Sequence, residues 1–262
     1  MRASDFPFFD LTGPVGLAHR GGAYFRPNMG RENTIAAFRK AVDMGYRYIE
    51  TDVRATSDGE LVTFHDDRLE RVTDGRGLLR EHTYEQIQRA RTVADDTIPL
   101  LDDVLEEFPD TRFNIDCKSD LAIEPLVTVI RRHRAIPRVC IAAFSGKRLA
   151  AIRKELGPTL ATATGAPGVA GLRLAPLTLS RLLRSAAPVL QIPVQHDVRG
   201  ATITLVTPRL VRRAHALGKQ VFAWTIDDPA EMGRLLDIGV DGIISDRIDV
   251  LRDVFAARNL PV

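Results

Sequence analysis

Three short phrases set ionisable residues at the ends of apolar runs: Ala18-His19-Arg20-Gly21-Gly22, Ile49-Glu50-Thr51-Asp52-Val53 and Phe64-His65-Asp66. Burying such groups is costly unless each finds a partner or a metal, so three of them close together in sequence mark a site. Glu50 and Asp52 are separated by one residue on an extended run, and the two-residue alternation of a strand turns both carboxylates the same way. Two like charges that close need a counter-charge, and a divalent cation supplies it compactly. A third carboxylate, Asp116, lies in the run Asn114-Ile115-Asp116-Cys117-Lys118. Three carboxylates around one ion form an oxygen donor set that suits Mg²⁺ or Ca²⁺ rather than Zn²⁺. The competing reading is two carboxylates salt-bridged to arginine and one surface aspartate, which must explain like charges on one face.

His19 and His65 are the histidines of the N-terminal half that directly follow apolar strands and sit beside other polar groups. Two imidazoles can act as base and acid near neutral pH. His82 and His133 read as surface residues, His215 falls on a predicted helix, and His196 follows a later strand. Arg20 offers a planar fork and Lys118 a point charge, both suited to phosphate and both equally suited to pairing with Glu50 or Asp116. Trp224, the only tryptophan, is either core or the apolar wall of a pocket. No serine or cysteine nucleophile stands out. One hard cation, two histidines and two positive side chains suit phosphoryl transfer, where positioning and electrostatics supply most of the catalysis.

These residues are far apart in sequence and need a scaffold that gathers them. Apolar runs bounded by breakers predict strands over residues 15–19, 46–53, 112–117, 138–142, 159–163, 189–193, 220–224 and 240–244, with a further short one at 61–64. A helix follows the first strand, capped by Asn33 or Thr34, carrying Ile35, Phe38 and Val42 on one face and closed by Gly45. Others are predicted over 120–134, 146–156, 177–186, 208–217 and 229–238. The last two share one grammar: Thr207 or Asp228 caps, proline follows at the first helical position, and Gly218 or Gly239 ends the helix. Eight strands alternating with helices predict an α/β protein, a (β/α)₈ TIM barrel forming a single domain over residues 1–262. No Gly-x-Gly-x-x-Gly opens a helix, which argues against a doubly wound sheet. Residues 66–96, with a short helix near 84–90, form a small insertion after the second strand, read as too short and too polar for a core of its own. Active sites of such barrels lie at the C-terminal strand ends. His19, Glu50, Asp52, Asp116, Lys118 and Trp224 are all predicted to meet there, with Glu50 and Asp52 at the end of the second strand.

Composition excludes several other classes. Charged residues make up 27% of the chain with both signs interspersed and a net charge of +2, so there is no footprint for nucleic acid. No apolar run reaches the roughly 18 residues of a membrane span, and the N-terminus lacks a basic segment followed by an apolar one, which predicts a cytoplasmic protein. Cys117 and Cys140 match no metal spacing and are expected as buried free thiols. Phe6, Phe8 and Phe9 are expected to pack beneath the barrel.

The ordered phrases His19-Arg20-Gly21, Glu32-Asn33-Thr34 with Ala37-Phe38, Ile49 to Val53, Asp58-Gly59 and His65-Asp66 open a longer pattern. It continues through Leu69, Arg71 and Thr73, Ile98-Pro99-Leu100-Leu101, Asn114 to Lys118, Trp224-Thr225 and Gly239 to Asp246. The pattern resembles the glycerophosphodiester phosphodiesterases, metal-dependent (β/α)₈ barrels. The resemblance implies His19 and His65 as the acid/base pair, Glu50 and Asp52 as metal ligands, and Arg20 and Lys118 as phosphate contacts. It also implies cleavage of glycerophosphodiesters to glycerol 3-phosphate and an alcohol, with the substrate's own 2-hydroxyl a possible first nucleophile. Two departures stand out: Arg31 precedes Glu32-Asn33-Thr34 where the family usually has proline, and Asp116 stands where it commonly has glutamate. An aspartate there also occurs in the related sphingomyelinase D-like and lysophospholipase D-like branches, so a lysophospholipid is the alternative substrate and a non-catalytic phosphate-binding barrel the remote one. The sequence leaves the oligomeric state open.

Overall fold

The computed structural model describes residues 1–9, 13–164, 186–198 and 201–262. Eight parallel strands form a ring: β1 (Val15–His19), β2 (Tyr48–Ala55), β4 (Arg112–Cys117), β5 (Val139–Ala142), β6 (Ala161–Thr162), β7 (Val189–Pro193), β10 (Gln220–Trp224) and β11 (Gly242–Ser245). They hydrogen-bond in the order β6-β5-β4-β2-β1-β11-β10-β7. A parallel bridge between Ala163 and Val189, with the Thr164 amide donating to the Val189 carbonyl at 2.8 Å, joins the two ends. All eight barrel strands foreseen in the sequence are present.

Their limits differ where a neighbour intervenes. β2 runs past Val53 to Ala55 because β3 (Leu61–Thr63) pairs antiparallel with its last residues, Val53 opposite Thr63 and Ala55 opposite Leu61. Glu50 and Asp52 therefore lie within β2 instead of at its end. The last strand begins at Gly242, since the Val240 amide still donates to the Leu235 carbonyl at 3.1 Å and closes the preceding helix. A hairpin of β8 (Gln195–Val198) and β9 (Ala201–Thr204), not foreseen, leaves the C-terminal end of β7 and carries His196 in an exposed position.

The helices follow their caps. Thr34, not Asn33, starts α1 (Ile35–Asp43), its hydroxyl accepting from the Ala37 amide at 3.2 Å. The insertion contributes α2 (Tyr84–Ile87), and α3 (Leu101–Glu107) leads into β4. After β4 come α4 (Ile123–Arg132), preceded by a single tight turn, and α5 (Gly146–Leu156). Thr207 and Asp228 cap α6 (Pro208–Ala216) and α7 (Pro229–Asp237), and α8 (Ile248–Ala256) follows β11. The helix expected over 177–186 lies outside the described residues. Among the described residues no helix is long and apolar enough to cross a membrane.

One apolar cluster lies between strands and helices. A second fills the lower barrel, where Phe6, Phe8 and Phe9 pack on Val15, Leu17, Tyr48 and Phe222. Phe8 meets Phe9 and Tyr48 edge-on at 4.9 and 5.2 Å, and the Tyr48 hydroxyl donates to the Phe8 carbonyl at 2.6 Å. Cys117 and Cys140 are buried and free, as expected. The insertion departs from expectation: Phe64, Leu69, Val72, Leu79, Ile87 and Ile98 form a small buried cluster with Val62 of β3. By borrowing that strand the segment does bury a core.

Candidate active site

Strand register gathers the carboxylates. His19 of β1 stands level with Glu50 of β2, and Asp52 level with Asp116 of β4. The turn after β1 is forced by close packing: a Cβ on Gly21 would come within 2.9 Å of Ala37 and Phe38, and one on Gly22 within 2.7 Å of Ile248. Both glycines, like Arg20 (φ 51°), take the left-handed conformation that lets the chain pass between α1 and α8. This turn presents the Arg20 amide to Glu50 Oε2 at 3.2 Å and the guanidinium Nε to Asp52 Oδ2 at 3.2 Å.

Asp52 is the most enclosed of the acids. Lys118 Nζ reaches it at 2.8 Å and Asn33 Nδ2 donates to it at 2.9 Å. Lys118 Nζ also lies 2.7 Å from Asp116 Oδ2, while Asp116 Oδ1 is buried with no hydrogen-bond partner. His19 is braced on its Nδ1 side by Asp246 Oδ1 at 2.7 Å, and its Nε2 lies 3.7 Å from Glu50 Oε2.

His65 is set beside the same strand because the Phe64 amide donates to the Asp52 carbonyl at 2.9 Å. Its Nδ1 meets Asp66 Oδ1 at 2.5 Å. Asp66 accepts from Arg71 Nε at 2.6 Å, Arg71 forks onto Glu32 at 2.6 and 2.8 Å, and Glu32 accepts from Arg20 at 3.1 Å. An ionic chain thus runs from His65 through Asp66, Arg71 and Glu32 to Arg20 and Asp52. Each histidine has its own carboxylate, in the arrangement that fixes a ring's orientation.

The electrostatics separate groups of the same type. Burial, then the charge of Asp52, raises the Glu50 carboxyl. Burial pushes Asp52 the same way, but Lys118 and Arg20 outweigh it and hold Asp52 below the usual range. Burial opposes a proton on His19, yet Glu50 and Asp246 overcome it and its pKa is raised. For His65 burial prevails over Asp52 and Asp66, and its pKa is lowered. Partial burial works against ionisation of Asp66, but Arg71 and His65 bring it down to about 2.

Every residue singled out from the sequence is located, though not all act as foreseen. Trp224 is half-buried, resting on the lower apolar cluster while its ring meets exposed Phe144 edge-on at 6.1 Å. Arg31 pairs with Asp96 at 3.5 Å, tying its loop to the insertion. His133 is less superficial than expected, partly covered and 2.8 Å from Asp102. His215 lies on α6 as expected and pairs with Asp241 at 2.8 Å. Among the described residues no three His, Cys, Asp or Glu side chains stand close enough to hold an ion as they are. Lys118 is wedged between Asp52 and Asp116 and supplies their counter-charge.

Asp246, Asn33, Glu32, Asp66 and Arg71 lie within the phrases quoted above, but nothing in the sequence assigned them a part in the site. Ring closure is the signal for Asp246: the last strand must lie beside the first, so a carboxylate following β11 lands on His19.

Residues 19–250 match the glycerophosphoryl diester phosphodiesterase family. The chain belongs to that family. It is an enzyme, a glycerophosphodiester phosphodiesterase. It is 43% identical over 256 residues to a probable glycerophosphodiester phosphodiesterase 2 of Mycobacterium tuberculosis, covering 96% of this chain and 94% of that one. A glycerophosphodiester phosphodiesterase of Caldanaerobacter subterraneus subsp. tengcongensis is 30% identical, covering 90% and 95%. Among solved structures, a phosphodiesterase of Oleispira antarctica in complex with the product sn-glycerol-3-phosphate superposes with a TM-score of 0.77 at 25% identity, covering 93% and 97%.

Proposed function

We propose that the protein hydrolyses glycerophosphodiesters to glycerol 3-phosphate and a free alcohol, using His19 and His65 for proton transfer and Arg20 and Lys118 to hold the phosphate. The observation that carries this reading is the pair of histidines, each braced by its own carboxylate at one mouth with the part-buried cations Arg20 and Lys118. One imidazole takes the proton of the attacking oxygen, and the other gives a proton to the departing alcohol. Arg20 and Lys118 face the charge that grows on the equatorial phosphoryl oxygens. Trp224 and Phe144 offer an apolar wall for substrate carbon.

A hard divalent cation, Mg²⁺ or Ca²⁺, completes the proposal, with Glu50, Asp52 and Asp116 as its ligands. Two observations support the fit: Asp116 Oδ1 is buried without a partner, and Glu50 is raised by burial and its acidic neighbour. Lys118 and Arg20 thus compensate Asp52 but leave Glu50 and one oxygen of Asp116 free for a further positive charge. When bound, the ion would neutralise phosphoryl charge alongside Arg20 and Lys118. A cytoplasmic setting, also part of this proposal, rests on the two free cysteines.

Lysophospholipid is a second substrate reading. It is favoured by Tyr24, Leu121 and Phe144, large apolar side chains left 60%, 61% and 75% exposed on loops after β1, β4 and β5. Product analysis with glycerophosphocholine and lysophosphatidylcholine in parallel separates the two. The primary reading expects glycerol 3-phosphate from the first at the higher kcat/KM. Cleavage of lysophosphatidylcholine alone would overturn it.

A further inference from the structure

Beyond Lys118 a cleft of about 340 Å³ opens between the end of β2, the insertion and the turn that leaves β4. Its size is that of a small-molecule site. Four positive side chains line it, Arg54, Arg80, Lys118 and Arg148, against two carboxylates, Asp67 and Asp120. Lys118 belongs both to this cleft and to the Asp52 cluster, so the cleft leads directly off the mouth.

Two of the guanidinium groups are held by main chain. Arg54 Nε donates to the His65 carbonyl at 2.7 Å, and Arg148 Nη1 donates to the Cys117 carbonyl at 2.6 Å. Their side chains are 13% and 14% exposed, whereas the carboxylates paired with them, Asp67 and Asp120, are 69% and 81% exposed. A carboxylate so exposed contributes little to such a pair. A ligand anion can replace it without moving the anchored guanidinium. Arg80 is exposed and makes no side-chain hydrogen bond or ion pair among the described residues. The cleft thus has positive groups fixed in advance and one with no partner, which suits a phosphate met by arginine forks.

We infer that this cleft receives the leaving alcohol and selects an alcohol that itself carries a phosphate, through Arg54, Arg80 and Arg148. The inference rests on the phosphodiesterase reading above and names its substrate class. Glycerol brings neither charge nor bulk to such a cleft, whereas the alcohol is the half of the diester that varies. The overall reaction balances as an ordinary hydrolysis. Water supplies the new oxygen on phosphorus, the P–O bond to the alcohol breaks, and that oxygen departs with a proton.

The test compares kcat/KM for glycerophosphoinositol 4-phosphate, glycerophosphoinositol and glycerophosphocholine, using wild type, Arg80→Ala and Arg80→Glu. The first two substrates differ by one phosphate. Wild type is expected to favour the phosphorylated one by about 10-fold or more, as for a hydrogen bond to a charged group. Arg80→Glu is expected to erase that preference, with Arg80→Ala between it and wild type. Equal wild-type rates on the first two, a preference for the choline diester, or an unchanged ratio in Arg80→Glu would overturn the inference and leave the phosphodiesterase reading standing. Cleavage of none of the three would overturn both.

Discussion

At the start of β1, Val15 and Leu17 pack against Phe6, Phe8 and Phe9; two residues further on, His19 faces Asp246 and Glu50. β2 and β10 repeat the pattern, Tyr48 below with Glu50 and Asp52 above, and Phe222 below with Trp224 above. The same strands thus build an apolar floor and an ionic mouth. The floor is held by non-directional burial and edge-on rings, which tolerate changes of partner as long as volume is kept. The mouth is held by charges that each need a particular counterpart, because a buried ion left alone is costly. Stability is therefore concentrated at the floor, while the mouth carries groups displaced from their ordinary pKa values, as functional sites do.

Substitutions at the two ends should separate those contributions. The largest effect is expected for His19→Ala or His65→Ala, each lowering kcat of the folded protein by about 10²–10⁴, and the double variant little worse than either. Steady-state kinetics beside a melting curve checks this, and near-normal turnover in His65→Ala would return that residue to a structural part. Phe8→Ala should do the reverse, costing about 3–5 kcal/mol of stability with kcat of the folded fraction retained. Denaturant titration reads the loss.

The smallest effect concerns Asp66 and acid. Its folded pKa, about 2, lies below the unfolded value, so the stability it contributes is present above the unfolded pKa and lost as pH falls through the folded one. Wild type should therefore lose stability between about pH 4 and pH 2 more steeply than Asp66→Asn, which starts lower at neutral pH. Parallel slopes in melting temperature against pH would remove Asp66 from the ionic chain.

The same contrast explains what could be read from the sequence. The barrel was legible because apolar runs, caps and breakers recur locally, and the mouth because His19, Glu50, Asp52 and Asp116 interrupt those runs. Cross-ring and cross-loop partnerships were not. Asp246 meets His19 only once β11 closes onto β1, and Arg71 meets Glu32 only because the insertion folds over the loop before α1. The insertion's cluster leaves no sequence signal because Phe64, Leu69, Val72, Leu79, Ile87 and Ile98 follow no helical or strand period. β2 extends past the apolar run because its last residues depend on β3, a neighbour outside that run. Asn33 looked like a helix cap, but its amide is committed to Asp52 and Thr51.

The proposed mechanism requires the mouth carboxylates to act through a hard cation. Its most direct measurement is the release of glycerol 3-phosphate after exhaustive chelation, followed by titration with Mg²⁺ and Ca²⁺, with bound metal quantified in wild type, Glu50→Gln and Asp52→Asn. Chelation is expected to abolish turnover, one of the two ions to restore it in wild type, and both variants to stay folded but bind the ion weakly. Full turnover in excess chelator, with no metal found by elemental analysis, would contradict it.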